Sequence, residues 1–305
     1  MTKQRTITQP DARQQQTTDL TTYNAAAQAS SAVIIGEYST SFGLAARLLE
    51  PRMRGQVRAI YALVRIADEL VDGAAAGAGL GIEAQRELLD DLETETIAAI
   101  GRGYSTNLVV HSFALTARET GIDASLVAPF FASMRRDLDT IPFTDDTLAA
   151  YIYGSAEVIG LMCLRSFLQG ISPSDVEMTY LDTGARRLGA AFQKINFLRD
   201  LADDYETLGR SYFPGIDPTA MTEADKARIL ADIDADLAAA SLALPLLPVG
   251  CRGAVRAAHD LFARLAQKLR NTPCTALCTT RVRVPDGEKL LLAAGVLLGR
   301  GARTR

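Results

Sequence analysis

Two stretches decide how this chain reads: IYALVRIADELVD at residues 60–72 and FQKINFLRDLADD at residues 192–204. Both place apolar residues at helical spacing. In the first, Ile60, Leu63, Val64, Ala67 and Val71 form an apolar stripe. Tyr61, Arg65, Asp68 and Asp72 fall within about 60° of arc on another side of the same helix. In the second, Gln193, Asn196, Asp200 and Asp204 share about 80° of arc. Each helix therefore carries an oxygen-rich stripe among residues that are otherwise Ile, Ala, Leu, Val and Phe.

Working outward from these stretches, helix-period apolar patterns recur between short Gly, Pro and Asn breaks, with no strand and no internal repeat. The pattern predicts helices over Thr22–Gly36, Phe42–Leu49, Arg52–Asp72, Ile82–Gly101, Leu108–Thr120 and Ala124–Leu138. Later ones are expected over Thr147–Gly170, Pro173–Thr207, Glu223–Leu244, Arg252–Arg270 and Asp286–Gly299. The fold class is all-α, one domain over residues 22–300, preceded by a disordered polar tail (1–21) and followed by a basic tail (301–305). The Gly- and Ala-rich segment Gly73–Gly81 follows the first acid pair, and the loop Gly209–Ala220 follows the second. A chain of this length buries about 75% of its unfolded surface, enough to enclose an apolar cavity without disulfides.

Composition removes several function classes. With 32 basic and 36 acidic residues the net charge is −4, and no block of like charge would track a nucleic-acid backbone. Nucleic acid is not an expected partner. Cys163, Cys251, Cys274 and Cys278 form no CxxC pair, and only His111 and His259 could join them on zinc, so reduced cytosolic thiols are expected. The polar first twenty residues lack the apolar run of a signal peptide, and a cytoplasmic location follows.

Like charges at i,i+4 disfavour a helix by only about 0.2–0.5 kcal/mol, so one aspartate pair carries little weight. Two pairs in apolar surroundings carry more. A solvated face would mix in Lys and Glu, and a buried carboxylate without a cation costs several kcal/mol. Mg²⁺ (or Mn²⁺) answers that need, because it takes oxygen ligands and is shared between carboxylates and substrate phosphates. Zinc is disfavoured, since neither stripe holds His or Cys. The implied chemistry is departure of an allylic diphosphate, helped by Lewis-acid metal and by arginines such as Arg65, Arg199 and Arg210. Tyr38, Ser39, Thr40, Ser41 and Phe42 stand just before a helix, where their hydroxyls suit either an N-cap or an anion.

The residues resemble the squalene and phytoene synthases, and more closely the bacterial phytoene synthases. The resemblance runs from about Tyr23 to Lys289 and rests on YSTSF (38–42), YALVRIADELVD (61–72), MRRDLD (134–139), YGSAEVIG (153–160), and LGAAFQKINFLRDLADD followed by GRSYFP. It implies a helical bundle around a central cavity, with the two aspartate motifs facing each other. By resemblance, Asp68, Asp72, Asn196, Asp200 and Asp204 hold metal. Tyr38, Ser39, Thr40, Ser41, Tyr61, Arg65, Gln193, Arg199 and Arg210 contact diphosphate or substrate, Tyr61 and Arg65 acting with the aspartates in catalysis. Phe42, Tyr151, Ala156, Gly160, Leu188 and Tyr212 line the cavity. A cavity tyrosine that family members often carry on a late helix is replaced here by Leu261 or Phe262.

The resemblance further implies head-to-head joining of two geranylgeranyl diphosphates to phytoene through prephytoene diphosphate, with no NADPH and with carotenoid-pathway enzymes as neighbours. The alternative is a squalene, dehydrosqualene or hydroxysqualene-type synthase using farnesyl diphosphate. A terpene cyclase would not be expected to carry the paired Tyr-Arg-Asp and Gln-Asn-Asp pattern, and a non-enzymatic scaffold would be free to lose the acids. No segment is expected to reach the ~20 apolar residues of a spanning helix. Leu290–Leu298 is the most apolar run, and Lys289, Arg300, Arg303 and Arg305 around it suit peripheral attachment to anionic headgroups.

Overall fold

A computed structural model describes residues 12–139, 141–201, 205, 210–277, 281–285, 287 and 288. Asp204, Cys278 and the stretch 289–305, with its expected apolar run and basic tail, lie outside the described residues, as do the side chains of Thr40, Ser41 and Phe42. Among the described residues the regular structure is helical throughout. The helices are α1 (Ala12–Tyr38), α2 (Thr40–Arg47), α3 (Pro51–Asp72), α4 (Ala74–Gly77), α5 (Ile82–Arg102), α6 (Leu108–Thr120), α7 (Ala124–Asp137) and α8 (Asp145–Ile152). A π-helical turn (Tyr153–Glu157) leads into α9 (Val158–Phe167), followed by α10 (Asp175–Arg199), α11 (Glu223–Ala243), a 3₁₀ turn (Leu244–Leu246), α12 (Val249–Asn271) and α13 (Cys274–Leu277).

Local chemistry sets many of the boundaries. Pro51 begins α3, where its missing N–H costs nothing. Asn107 caps α6 by accepting from the Val109 and Val110 amides. Ser174 with Glu177 and Thr222 with Asp225 form reciprocal capping boxes at the starts of α10 and α11. Gly103 and Gly121 close α5 and α6 in the left-handed conformation.

The apolar stripe of α3 is buried as its periodicity requires: Ile60, Leu63, Ala67 and Val71 pack with Phe113, Phe130 and Phe131 from α6 and α7. Each fully buried aromatic or leucine contributes about 1.5–3 kcal/mol of transfer free energy. A second core joins α10, α11 and α12 through Ile195, Leu198, Ile233 and Leu265. A third, containing Met53, Val57, Leu164, Leu181 and Leu247, fills the space between them.

Four boundaries depart from the periodicity. Helix α1 begins at Ala12, inside the segment expected as a tail, because the packed part beyond Tyr23 propagates backwards at one hydrogen bond per residue; the Thr21 and Thr22 hydroxyls add bonds to the Thr17 and Thr18 carbonyls. Helix α4 occupies part of the Gly73–Gly81 linker, where three alanines favour it. The single helix expected over Thr147–Gly170 is interrupted by the π turn. There Ser133 Oγ donates to the Tyr151 carbonyl at 3.1 Å, and a Cβ on Gly154 would stand 2.1 Å from the Pro129 carbonyl oxygen. Finally, α10 ends at Arg199 with Asp200 as its cap, Leu201 and Tyr205 are again helical, and the expected end near Thr207 lies outside the described residues.

The segment Asp145–Phe167, 23 residues with mean hydropathy 1.4, is long and apolar enough to cross a membrane. No such segment was expected, although the helix predicted over Thr147–Gly170 covers most of it. Here it is used in the core, with Tyr151, Val158, Met162 and Leu164 buried.

Candidate active site

The oxygen-rich stripe of α3 is half-buried and already partnered. Arg65 Nη1 lies 2.8 Å from Asp68 Oδ2, its Nη2 engages Glu69, and its guanidinium stacks over the Tyr38 ring at 4.5 Å. Tyr61 bonds Ser39. The junction between α1 and α2 therefore lies beside α3 at Tyr61 and Arg65. Burial and the neighbouring Asp72 push the Asp68 carboxyl up to about 7, against the pull of Arg65.

Arg210 carries the first link between the two acid stretches. It lies in the loop after the second one, and its Nη1 is 2.6 Å from Asp72 Oδ1. Its Nη2 donates to the Asp137 backbone carbonyl at 2.9 Å, and the Asp137 carboxylate is 3.7 Å away. Tyr151 Oη donates to the same carboxylate at 2.7 Å. Asp137 is only 3% exposed; burial pushes it up to about 8, although Arg210 opposes the shift. Arg210 is correspondingly held more firmly protonated by Asp137 and Asp72.

On α10, Asp200 is gripped from two sides. Arg199 Nε donates to its Oδ1 at 2.8 Å, and Arg281 Nε lies 2.7 Å from the same atom, with Nη2 3.2 Å from Oδ2. Asn196 Oδ1 is buried without a hydrogen-bond partner, which is costly for an amide oxygen unless something cationic or protic meets it. Among the described residues no three Asp, Glu, His or Cys side chains come together as a complete metal cluster.

Between α3 and α10 lies an apolar cavity of about 240 Å³. Val64 of α3 and Phe192 of α10 both line it, whereas none of Tyr61, Arg65, Asp68, Asp72, Gln193, Asn196 or Asp200 is in its wall. Ala156, Gly160 and Leu188, three of the residues expected to line a cavity, are in its wall. Two glycines let α9 and the π turn come close to α10: a Cβ on Gly160 would be 2.3 Å from the Ala185 carbonyl oxygen, and one on Gly189 would be 2.5 Å from that of Ala156. Tyr151 and Tyr212 are elsewhere. They join Phe143 and Phe197 in an aromatic cluster, with Tyr212 stacked on Phe197 at 3.9 Å, because the Tyr151 hydroxyl is drawn to Asp137.

With this geometry in place, comparison with known proteins is decisive. Residues 35–288 match the squalene/phytoene synthase family. The chain belongs to that family.

Within the squalene/phytoene synthase family, it is 27% identical over 250 residues to the 15-cis-phytoene synthase of a Paracoccus species, covering 77% of this chain and 80% of the relative. It is 26% identical over 290 residues to the bifunctional lycopene cyclase/phytoene synthase of Blakeslea trispora, covering 85% of this chain. The chain spans about half, 47%, of that relative's length. Its fold is that of a solved dehydrosqualene synthase, with a TM-score of 0.74 at 24% identity, covering 90% of this chain and 97% of that one.

Periodicity alone missed two site residues of this family member. Asp137 sits within MRRDLD, but nothing in that motif says it lies beneath Arg210 and Tyr151. Arg281 is some eighty positions from Asp200, and only folding brings it there. Of the two late-helix residues, Phe262 stacks on the cavity-lining Phe192 with centroids 3.7 Å apart, whereas Leu261 is buried in the second core.

Proposed function

We propose that the chain joins two molecules of geranylgeranyl diphosphate head to head, giving phytoene by way of prephytoene diphosphate and releasing diphosphate. The observation that carries this reading is the Arg210–Asp72 pair, which ties the loop after one acid stretch to the other, the two stretches lying on helices that also wall an apolar cavity. That arrangement suits a molecule with an anionic head and a hydrocarbon tail. The names of the two sequence relatives above support the phytoene branch.

Mg²⁺ fits the oxygen set: burial and the Asp72 charge raise the proton affinity of Asp68, and Asn196 Oδ1 is buried and unpartnered. Asp68, Asp72, Asn196 and Asp200 would hold it, with Asp204 as the remaining candidate. When bound, it would supply Lewis-acid stabilisation to the departing diphosphate. The chain's own groups do the rest. Arg65, Arg199, Arg210 and Arg281 present guanidinium forks that match phosphate oxygens. Tyr61 and Ser39 add hydroxyls. The wall of Val64, Ala156, Gly160, Leu188 and Phe192 excludes water, which would otherwise capture an allylic cation. A cytoplasmic enzyme acting beside carotenoid-pathway partners is consistent with this chemistry.

Incubation with geranylgeranyl diphosphate and Mg²⁺, without NADPH, should yield the phytoene triene. A product formed from farnesyl diphosphate alone would overturn the substrate assignment while leaving head-to-head condensation intact.

A further inference from the structure

The polar stripe of α3 does not end at Tyr61. Counted at about 100° per residue, Arg54 and Arg58 fall on the same side as Tyr61, Arg65, Asp68 and Asp72, all six within about 80° of arc. Cations therefore occupy the earlier part of the stripe and carboxylates its C-terminal end. That order opposes the helix dipole, which favours the reverse, so helix stability does not account for it.

The arginines at the start of the stripe lack the carboxylate partners that Arg65 and Arg210 have. Arg54 Nη2 donates to the Leu49 carbonyl at 2.8 Å, which fixes its guanidinium in the corner between α2 and α3. Arg47 is exposed at the end of α2. Both arginines act on the half-buried Arg58, whose proton affinity is lowered first by burial and then by the charges of Arg54 and Arg47. Among the described residues none of the three forms an ion pair with a carboxylate, and the Nε donors of Arg54 and Arg58 are buried without an acceptor. Glu50, one turn before Arg54, is packed against Gly250 instead, where a Cβ would stand 2.2 Å from the Glu50 Cδ atom. Buried donors without acceptors are costly, and neighbouring like charges add to the cost. A multiply charged phosphate-type anion relieves both, since its oxygens accept from guanidinium forks.

The cluster is separate from the acid stretches. Arg58 precedes Arg65 by seven residues, about 10 Å of helix. None of Arg47, Arg54 and Arg58 is in the wall of the apolar cavity, so an anion held there needs no hydrocarbon tail. We propose that Arg47, Arg54 and Arg58 form a second anion site, which takes free inorganic diphosphate further along α3 from the aspartates. This rests on the proposed reaction only for the source of the anion, the leaving group that passes from Arg65 to Arg58.

Isothermal titration of the full chain with inorganic diphosphate, in chelator and without substrate, separates this site from metal-dependent binding at the aspartates. Its outcome is independent of the condensation chemistry. Wild type should bind the anion. Arg58→Met, which keeps the bulk of the side chain and removes its charge, should weaken binding about tenfold or more. Arg47→Ala, at an exposed position, should weaken it about threefold, and both variants should melt like wild type. Arg65→Met, about a Debye length away, should change it by less than about twofold. Failure of wild type to bind diphosphate in chelator would overturn the proposal. Loss of binding in Arg65→Met, with Arg58→Met and Arg47→Ala unaffected, would place the anion beside the aspartates and overturn it too. Tighter binding of geranyl diphosphate than of inorganic diphosphate, lost in Arg58→Met, would give the cluster to substrate and overturn the assignment to the free anion.

Discussion

Arg210 Nη1 stands 2.6 Å from Asp72 Oδ1, so a guanidinium carried by the loop after the second acid stretch ends on the first. Because Arg210 is also held by the Asp137 carbonyl, its fork is oriented before any ligand arrives. Orientation of this kind removes an entropy cost from binding and from the transition state. Arg210→Ala should therefore lower kcat/KM for diphosphate release by about a hundredfold or more. Arg210→Lys should recover little, since an ammonium is a point charge without the planar fork. Near-wild-type activity in the lysine variant would show that only net charge matters at this position.

The aspartates are expected to act with metal. Asp68→Asn and Asp200→Asn keep the side-chain volume but remove the anion, and each should cut diphosphate release by about a thousandfold. Circular dichroism should remain that of a folded helical protein. Wild-type turnover that persists in a strong chelator would sink the metal assignment, and full activity in Asp200→Asn would remove that residue from it.

Asp137 gives a stability prediction with a definite sign. Its carboxyl is raised from 3.8 to about 8 in the folded chain, chiefly by burial. Between those values the folded state binds more protons than the unfolded state, so stability is greatest near the lower end and declines as pH rises towards 8. Asp68, raised to about 7, adds a slope of the same sign. Denaturant midpoints measured from pH 5 to 8 should fall in wild type and fall less steeply in Asp137→Asn, which keeps a partner for Tyr151 and titrates no proton. An identical slope in both proteins would contradict the assignment.

The close approach of α9 and α10 can be tested with glycines. Gly160→Val places a Cβ 2.3 Å from the Ala185 carbonyl oxygen, a backbone atom that cannot rotate away, and should destabilise by about 1–3 kcal/mol or more. Gly55→Ala, in α3 with nothing within 4 Å of the added carbon, should instead stabilise by about 0.5–1 kcal/mol through helix propensity. Calorimetry on the two variants should shift the melting temperature in opposite directions.

The helical class, the course of α3 and most of α10, and the two oxygen-rich stripes were legible in the chain, because helical periodicity is local: residues three and four apart share a face whatever surrounds them. Tyr61, Arg65, Asp68 and Asp72 could be grouped on that basis alone. The same local rule read the run from Thr147 to Gly170 as one helix, and it is helical from Asp145 to Phe167; the π turn at Tyr153–Glu157, beside which Ser133 Oγ donates to the Tyr151 carbonyl, lay beyond it.

Partnership was beyond periodicity. Nothing in the order of residues joins Arg281 to Asp200, Arg210 to Asp72, or Asp137 to Tyr151, since each pair is separated by a loop or by whole helices. Tyr151 and Tyr212, grouped by resemblance with the cavity wall, turn into an aromatic cluster because Asp137 holds the Tyr151 hydroxyl. Composition and spacing thus determined which residues could share a helix face. Tertiary packing decided which charges meet, because ion pairing and burial depend on distances that only the folded chain sets.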